Sequence, residues 1–305
     1  MSTPLFIYHP RYELKFGDHV FPVHKYRLLH ARLIAEGLVA ADQFLVPHRA
    51  TDKELLLVHE PHYLARLDAL LADPAAALYE FEAPINAEVA DAVRYATGGT
   101  ILACEQALAR RTAAMNLSGG FHHAFPDHGE GFCFLNDLAV AIRSVQHRGL
   151  AQRVAVIDCD LHQGNGTAAI FALDPDVFTF SIHQEILYPM PKRRSTLDIG
   201  LDHYANDATY CGHLERHVPA LLDQHRPELV LYVAGADPYE HDQLGNLAVT
   251  KDGLRRRDEI VLGAARQRGL PVAVVTAGGY AHKTEDVVDI HLATAKVMIE
   301  MWKDA

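Results

Sequence analysis

Residues 154–166 read Val-Ala-Val-Ile-Asp-Cys-Asp-Leu-His-Gln-Gly-Asn-Gly, and the rest of the chain is organised around them. Val154 to Ile157 form an uninterrupted apolar run rich in β-branched residues, the mark of a strand buried on both faces of a parallel sheet. Asp158, Asp160 and His162 follow at every second position, so a backbone that stays extended would project all three from one face. Two carboxylates and an imidazole at the end of a buried strand suit a divalent metal, because anionic oxygens and a neutral ring nitrogen are zinc's usual partners outside cysteine sites. Gly164 and Gly166 let the backbone turn past them. Alone, the pattern is equally that of a helix cap or a turn. Its recurrence elsewhere tips the balance.

Upstream, Ala113 to Leu117 reads as a strand that runs into Ser118-Gly-Gly-Phe-His-His-Ala, with His122 and His123 adjacent. The loop continues through Asp127, Gly129, Gly131 and Phe132 until Asn136 opens a helix to about Arg148. Downstream come a helix near Thr167 to Leu173, a strand Val177 to Ile182, a loop holding Tyr188, and a helix Asp207 to His225. Leu229 to Val233 is an apolar strand ending in Ala-Gly-Ala-Asp237. After a helix over Leu254 to Arg268, the strand Val272 to Thr276 delivers Ala-Gly-Gly-Tyr280, and a helix from Glu285 to Met301 follows.

The N-terminal third is predicted as a strand Leu5 to Tyr8, a helix His24 to Glu36 stopped by Gly37, and a short strand Gln43 to Val46. Thr51 and Glu54 make a capping box for Asp52 to Val58. A helix runs from Pro61 to about Leu71, Asp73 to Pro84 is an irregular loop, and Asn86 caps a long helix to about Ala109. Strands alternating with helices define an α/β fold with a central, mainly parallel sheet flanked by helices. No linker interrupts it, so residues 1–305 read as a single domain. In such folds ligands bind beyond the carboxyl ends of the strands. Four strands therefore send His122/His123, Asp158/Asp160/His162, Asp237 and Tyr280 to one edge.

Composition narrows the partners. The 305 residues carry a net charge of −11, with basic residues scattered, which argues against direct nucleic-acid binding. Nothing approaches the roughly 20 apolar residues of a membrane span. The first residues lack a basic, signal-like start. Cys104, Cys133, Cys159 and Cys211 show no CxxC spacing, so a reducing cytosol is expected.

Asp160, His162 and Asp237 would make a three-ligand set that leaves room for water and substrate. Spacing alone does not choose Asp160 over Asp158. Either His122 or His123 could act as base toward a metal-activated water. Asp158 and Asn165 are candidates to orient those rings through the second nitrogen. Tyr280 could donate to a substrate carbonyl and then to the oxyanion. Together these parts describe amide hydrolysis.

These residues resemble the zinc-dependent histone deacetylases and their bacterial amidohydrolase relatives, of the three-layer arginase/deacetylase fold. The motifs that carry the likeness are Gly119-Gly-Phe-His-His-Ala, Gly131-Phe-Cys, Asp158-Cys-Asp-Leu-His-Gln-Gly-Asn-Gly, Ala234-Gly-Ala-Asp and Gly278-Gly-Tyr. The resemblance implies Asp160, His162 and Asp237 as zinc ligands, His123 as principal general base and acid, and His122 as its electrostatic partner. It makes Asp158 the orienter of His122 and Tyr280 the carbonyl-polarising hydroxyl. Gly131, Phe132 and Tyr188 would line a tunnel for an acyl-lysine side chain, with Leu244 near its mouth. Potassium would bind carbonyls near Asp158, Asp160 and His162 together with Ser181 and Ile182.

Asn165 stands where many class I members have aspartate, and Gln163 where they have a second histidine, so the chain looks closer to class II and especially class IV members. Some relatives cleave acetylpolyamines and carry a glutamate near the position of Leu244, which disfavours that substrate here. Glu82 lies near the place where others use aspartate to hold substrate backbone. A ureohydrolase of the arginase type would need further aspartates where Gln163, Gly164 and Asn165 stand.

Overall fold

The computed structural model describes residues 3–303. Met1, Ser2, Asp304 and Ala305, within the expected domain and its N-terminal start, lie outside the described residues. The strands are β1 (Leu5–Ile7), β2 (Phe44–Leu45), β3 (Ala113–Asn116), β4 (Val154–Asp158), β5 (Val177–Gln184), β6 (Leu197–Leu201), β7 (Leu229–Val233) and β8 (Val272–Val275). They form one eight-stranded sheet in the order β2-β1-β3-β8-β7-β4-β5-β6. Every pairing is parallel, so the expected mainly parallel sheet is parallel throughout. Strands β3, β4, β7 and β8 are buried residue by residue, which explains their unbroken apolar sequences.

Helices cover the sheet in two outer layers. In chain order they are α1 (Lys25–Ala35), α2 (Asp52–Leu55), α3 (Pro61–Leu70), α4 (Pro74–Phe81), α5 (Ala87–Arg110), α6 (Asp137–His147), α7 (Asn165–Ile170), α8 (Asp207–His225), α9 (Lys251–Gln267) and α10 (Thr284–Trp302). Helix α5 packs on β1, β3, β7 and β8 with α6 beside it. Helix α8 packs on β4 and α10 on β3, with α9 joining them and α1 against α10. No described helix is long and apolar enough to cross a membrane.

Two segments depart from the sequence reading. Asp73–Pro84, expected as loop, contains α4: the Asp73 side chain caps it by accepting from the Ala76 amide, and proline opens it. Residues 197–201, unread as a strand, form the edge strand β6, whose polar Asp198 and exposed Gly200 hide its pattern.

Candidate active site

The sheet order places the site. β3, β8, β7 and β4 are consecutive in space, and each leads at its carboxyl end into one of the motif loops. The expectation that extension carries Asp158, Asp160 and His162 onto one face does not hold, because β4 ends at Asp158 and the chain then bends. The bend sorts the two aspartates that spacing could not. Asp158 turns to the histidine pair, while Asp160 joins His162 and Asp237.

Nδ1 of His162 lies 3.3 Å from Oδ1 of Asp160 and 3.2 Å from Oδ2 of Asp237. Donor atoms of all three lie within 4.8 Å of one another. A tetrahedral centre with bonds of about 2.0–2.1 Å spaces its donors by about 3.3 Å, so the set fits a zinc-like cation. Both carboxylates are almost wholly buried, an arrangement that is costly without a cation. The backbone aims them: Gly278 N–H donates to Asp160 (2.9 Å) and Leu161 N–H to Asp237 (3.0 Å). A methyl group on Gly278 would come within 2.6 Å of Asp160 Oδ2, which is why glycine stands there. In the metal-free protein burial pulls His162 down, yet the two acids push it up to about 10. Burial and then Asp160 raise Asp237 to about 6.

The histidine pair sits beside this cluster. His122 Nδ1 donates to Asp158 Oδ2 at 2.8 Å, and its Nε2 lies 3.1 Å from Nε2 of His123. His123 Nδ1 lies 2.7 Å from Asn165 Oδ1. Burial lowers both rings. At His122 the charges of Asp158 and Asp160 overcome it and push the imidazole up to about 9. At His123 burial, reinforced by His122 and His162, holds it well below the usual histidine range. In the metal-free protein His122 is thus a cation and His123 a neutral imidazole near neutral pH. Tyr280 is buried, and burial, with Asp237 and Asp160 adding to it, keeps the phenol protonated and therefore a hydrogen-bond donor. Its backbone N–H is anchored by Asp242 at 2.7 Å.

A cavity of about 180 Å³ leads to these groups, lined by Glu82, Gly131, Phe132, Leu187, Tyr188 and Leu244 above His123, His162 and Tyr280. Tyr188 stands over His123 with ring centroids 5.0 Å apart. Gly131, Phe132, Tyr188 and Leu244 all line this cavity, and Glu82 joins them at the end of α4. Leu187 went unread, as did Phe21, whose ring stands 5.8 Å from that of Tyr280. Ser181 is paired in register with Asp158 on the neighbouring strand. A larger cavity of about 750 Å³ lies elsewhere. Most of its charges are paired, as in Arg49–Asp91 and Lys15–Glu88, and no histidine, cysteine or tyrosine lines it. The chemistry belongs to the smaller one.

Cys159 is buried, and burial pushes its thiol up, so it is no nucleophile. Its effect outweighs the neighbouring charges.

A parallel α/β sheet with a buried acid–imidazole donor set and a histidine pair at one edge is the build of a metal-dependent hydrolase. Residues 19–295 match the family model of the histone deacetylase domain, and the chain belongs to that family. It is 45% identical to an uncharacterized protein of Picosynechococcus sp., over 95% of this chain and 96% of the other. It is 35% identical to a histone deacetylase-like amidohydrolase of Pseudomonas aeruginosa, over 84% of this chain and 70% of that one. An HDAC homolog crystallised in complex with SAHA shares the fold, with a TM-score of 0.85 and 24% identity, over 98% of this chain and 84% of that structure. The protein is a hydrolase of the deacetylase/amidohydrolase type, and its substrate is an acylated compound.

Proposed function

We propose that the protein hydrolyses the amide of an N-acyl-lysine side chain, acetyl or longer, in a zinc-dependent reaction. The observation that carries this reading is the meeting of Asp160, His162 and Asp237 with His122, His123 and Tyr280 at the foot of one narrow cavity. Asp160, His162 and Asp237 would hold the zinc. When bound, it supplies a Lewis acid that polarises the acyl carbonyl and acidifies a water.

The chain's own groups do the rest. His123, neutral with its Nδ1 proton on Asn165, takes the proton of the attacking water at Nε2. It then returns that proton to the departing lysine amine, while the acyl group leaves as the carboxylate. His122, a cation held by Asp158, stabilises the negative charge that develops beside it. The Tyr280 hydroxyl donates to the oxyanion. Gly131, Phe132 and Tyr188 exclude water and admit a thin aliphatic stem.

The same reading takes residues 1–305 as one deacetylase domain, supported by the continuous sheet. It gives potassium to the carbonyls near Asp158, Asp160 and His162 with Ser181 and Ile182, and a reducing cytosol to the buried free thiols. Apolar Leu244 at the mouth speaks against an acetylpolyamine or similar small acylated amine. Gln163 is engaged by Arg193 and Asp198, and Asn165 by His123, which leaves neither for the second metal of a ureohydrolase.

Turnover of a fluorogenic acetyl-lysine peptide, with and without chelator, tests the reading, and a series of acyl lengths refines it. Activity lost to chelator and restored by zinc is expected. Two manganese ions per chain with urea release from a guanidino substrate would overturn it.

A further inference from the structure

Resting on the deacylase reading, we propose that Glu130 is a positioning residue that fixes which way round Asn165 presents its side-chain amide to His123. An asparagine amide turned by half a rotation keeps its shape but exchanges acceptor for donor. Here the choice is made by Glu130. Asn165 Nδ2 lies 2.8 Å from Glu130 Oε2, while Asn165 Oδ1 lies 2.7 Å from His123 Nδ1. A carboxylate only accepts, so the NH2 must face Glu130 and the oxygen must face the histidine. Oδ1 then accepts from Nδ1–H, and the neutral ring keeps its lone pair on Nε2, where a base needs it. With the amide reversed, NH2 would donate to Nδ1 and the proton would move to Nε2. The base would become a donor.

Glu130 is itself held in place. Its carbonyl accepts from Cys133 N–H (2.8 Å) across a short antiparallel bridge, directly before the tunnel residues Gly131 and Phe132. Oε2 also accepts from the Tyr188 hydroxyl at 3.3 Å, and Oε1 lies 3.3 Å from His128 Nε2. One carboxylate thus ties the amide behind the base to the tyrosine on the tunnel wall. His122 needs no such partner, because Asp158 offers the same acceptor whichever way it turns.

The test compares Glu130→Leu and Glu130→Gln in two backgrounds, native Asn165 and Asn165→Asp, using the zinc-loaded full chain. In the native background Glu130→Leu is expected to lower kcat roughly tenfold with KM little changed, the scale of one lost hydrogen bond. Glu130→Gln restores the rate, because the Tyr188 hydroxyl and Asn165 Nδ2 both donate to the one position and so hold the glutamine carbonyl, not its NH2, there. Nitrogen-15 NMR of His123 should show the Nδ1–H tautomer in the native and Gln proteins, with Nε2–H appearing in the Leu variant. With aspartate at 165 there is no orientation to lose and Glu130 instead faces a second carboxylate, so Glu130→Leu should leave kcat unchanged or raise it. Equal losses in both backgrounds, or an unaltered rate and tautomer for Glu130→Leu beside native Asn165, would overturn the proposal. A native protein without turnover would instead overturn the deacylase reading, and the tautomer comparison would still decide the role of Glu130.

Discussion

His122 and His123 are neighbours in sequence, their rings 4.1 Å apart, and both are buried, yet they are held in opposite states of charge. The difference is made one layer further out. Asp158 gives His122 a carboxylate, and Asn165 gives His123 a neutral amide of nearly the same shape. Burial discourages charge at both, so only the ring facing a carboxylate keeps its extra proton. An oxygen-for-NH2 exchange between two second partners, with Asp160 adding its charge on the His122 side, thus divides the metal-free pair into a cation and a neutral ring.

The largest effect comes from removing the metal, which silences the pair without erasing the division. Chelation should abolish turnover. In the metal-free protein His122 and His162 both lie above the value of about 6.5 for an unfolded histidine. Their stabilisation is therefore fully present below about pH 6.5 and is lost as pH rises through about 9 and about 10. Thermal melts of chelated protein from neutral to alkaline pH should show Tm falling. Zinc binding near neutral pH should release a proton from His162, which calorimetry in buffers of different ionisation enthalpy would detect.

Next in size is loss of the acceptor itself. His123→Ala and Tyr280→Phe should each lower kcat by at least about 10²-fold. His122→Ala should cost less than His123→Ala, and equal losses would mean that the rings share one role. Asp158→Asn removes the charge holding the proton on His122, so the alkaline limb of the pH–rate profile should move to lower pH, with kcat down roughly tenfold. Asn165→Asp erases the asymmetry from the other side. A carboxylate beside His123 raises its pKa, so the acidic limb should move to higher pH while kcat at alkaline pH changes by only about a few-fold.

Much of this centre was legible because its chemistry sits in short runs. Val154 to Ile157, Leu229 to Val233 and Val272 to Thr276 announced strands, and each delivered a chemically distinctive residue. Spacing failed between Asp158 and Asp160, because the end of β4 at Asp158 depends on tertiary bends that no local period records. Strand β6 was illegible because an edge strand with polar residues lacks an apolar run. Helix α4 carries a start signal in Asp73-Pro74, but at eight residues it is too short to show a helical period. Glu130 gave no signal. A lone acid in a glycine-rich loop acquires meaning only when Asn165, 35 residues away, is brought against it.

The order of strands has a consequence for how the protein comes into being. β3, β8, β7 and β4 lie side by side although the chain visits β4 before β7 and β8. Asp237 and Tyr280 belong to the last strands to be synthesised, so no nascent chain lacking β7 can complete the donor set, and none lacking β8 has its tyrosine. Tight metal capture by this donor set would therefore be a gauge of a finished sheet, and ribosome-bound or truncated forms would remain idle until the C-terminal third has docked between its earlier neighbours.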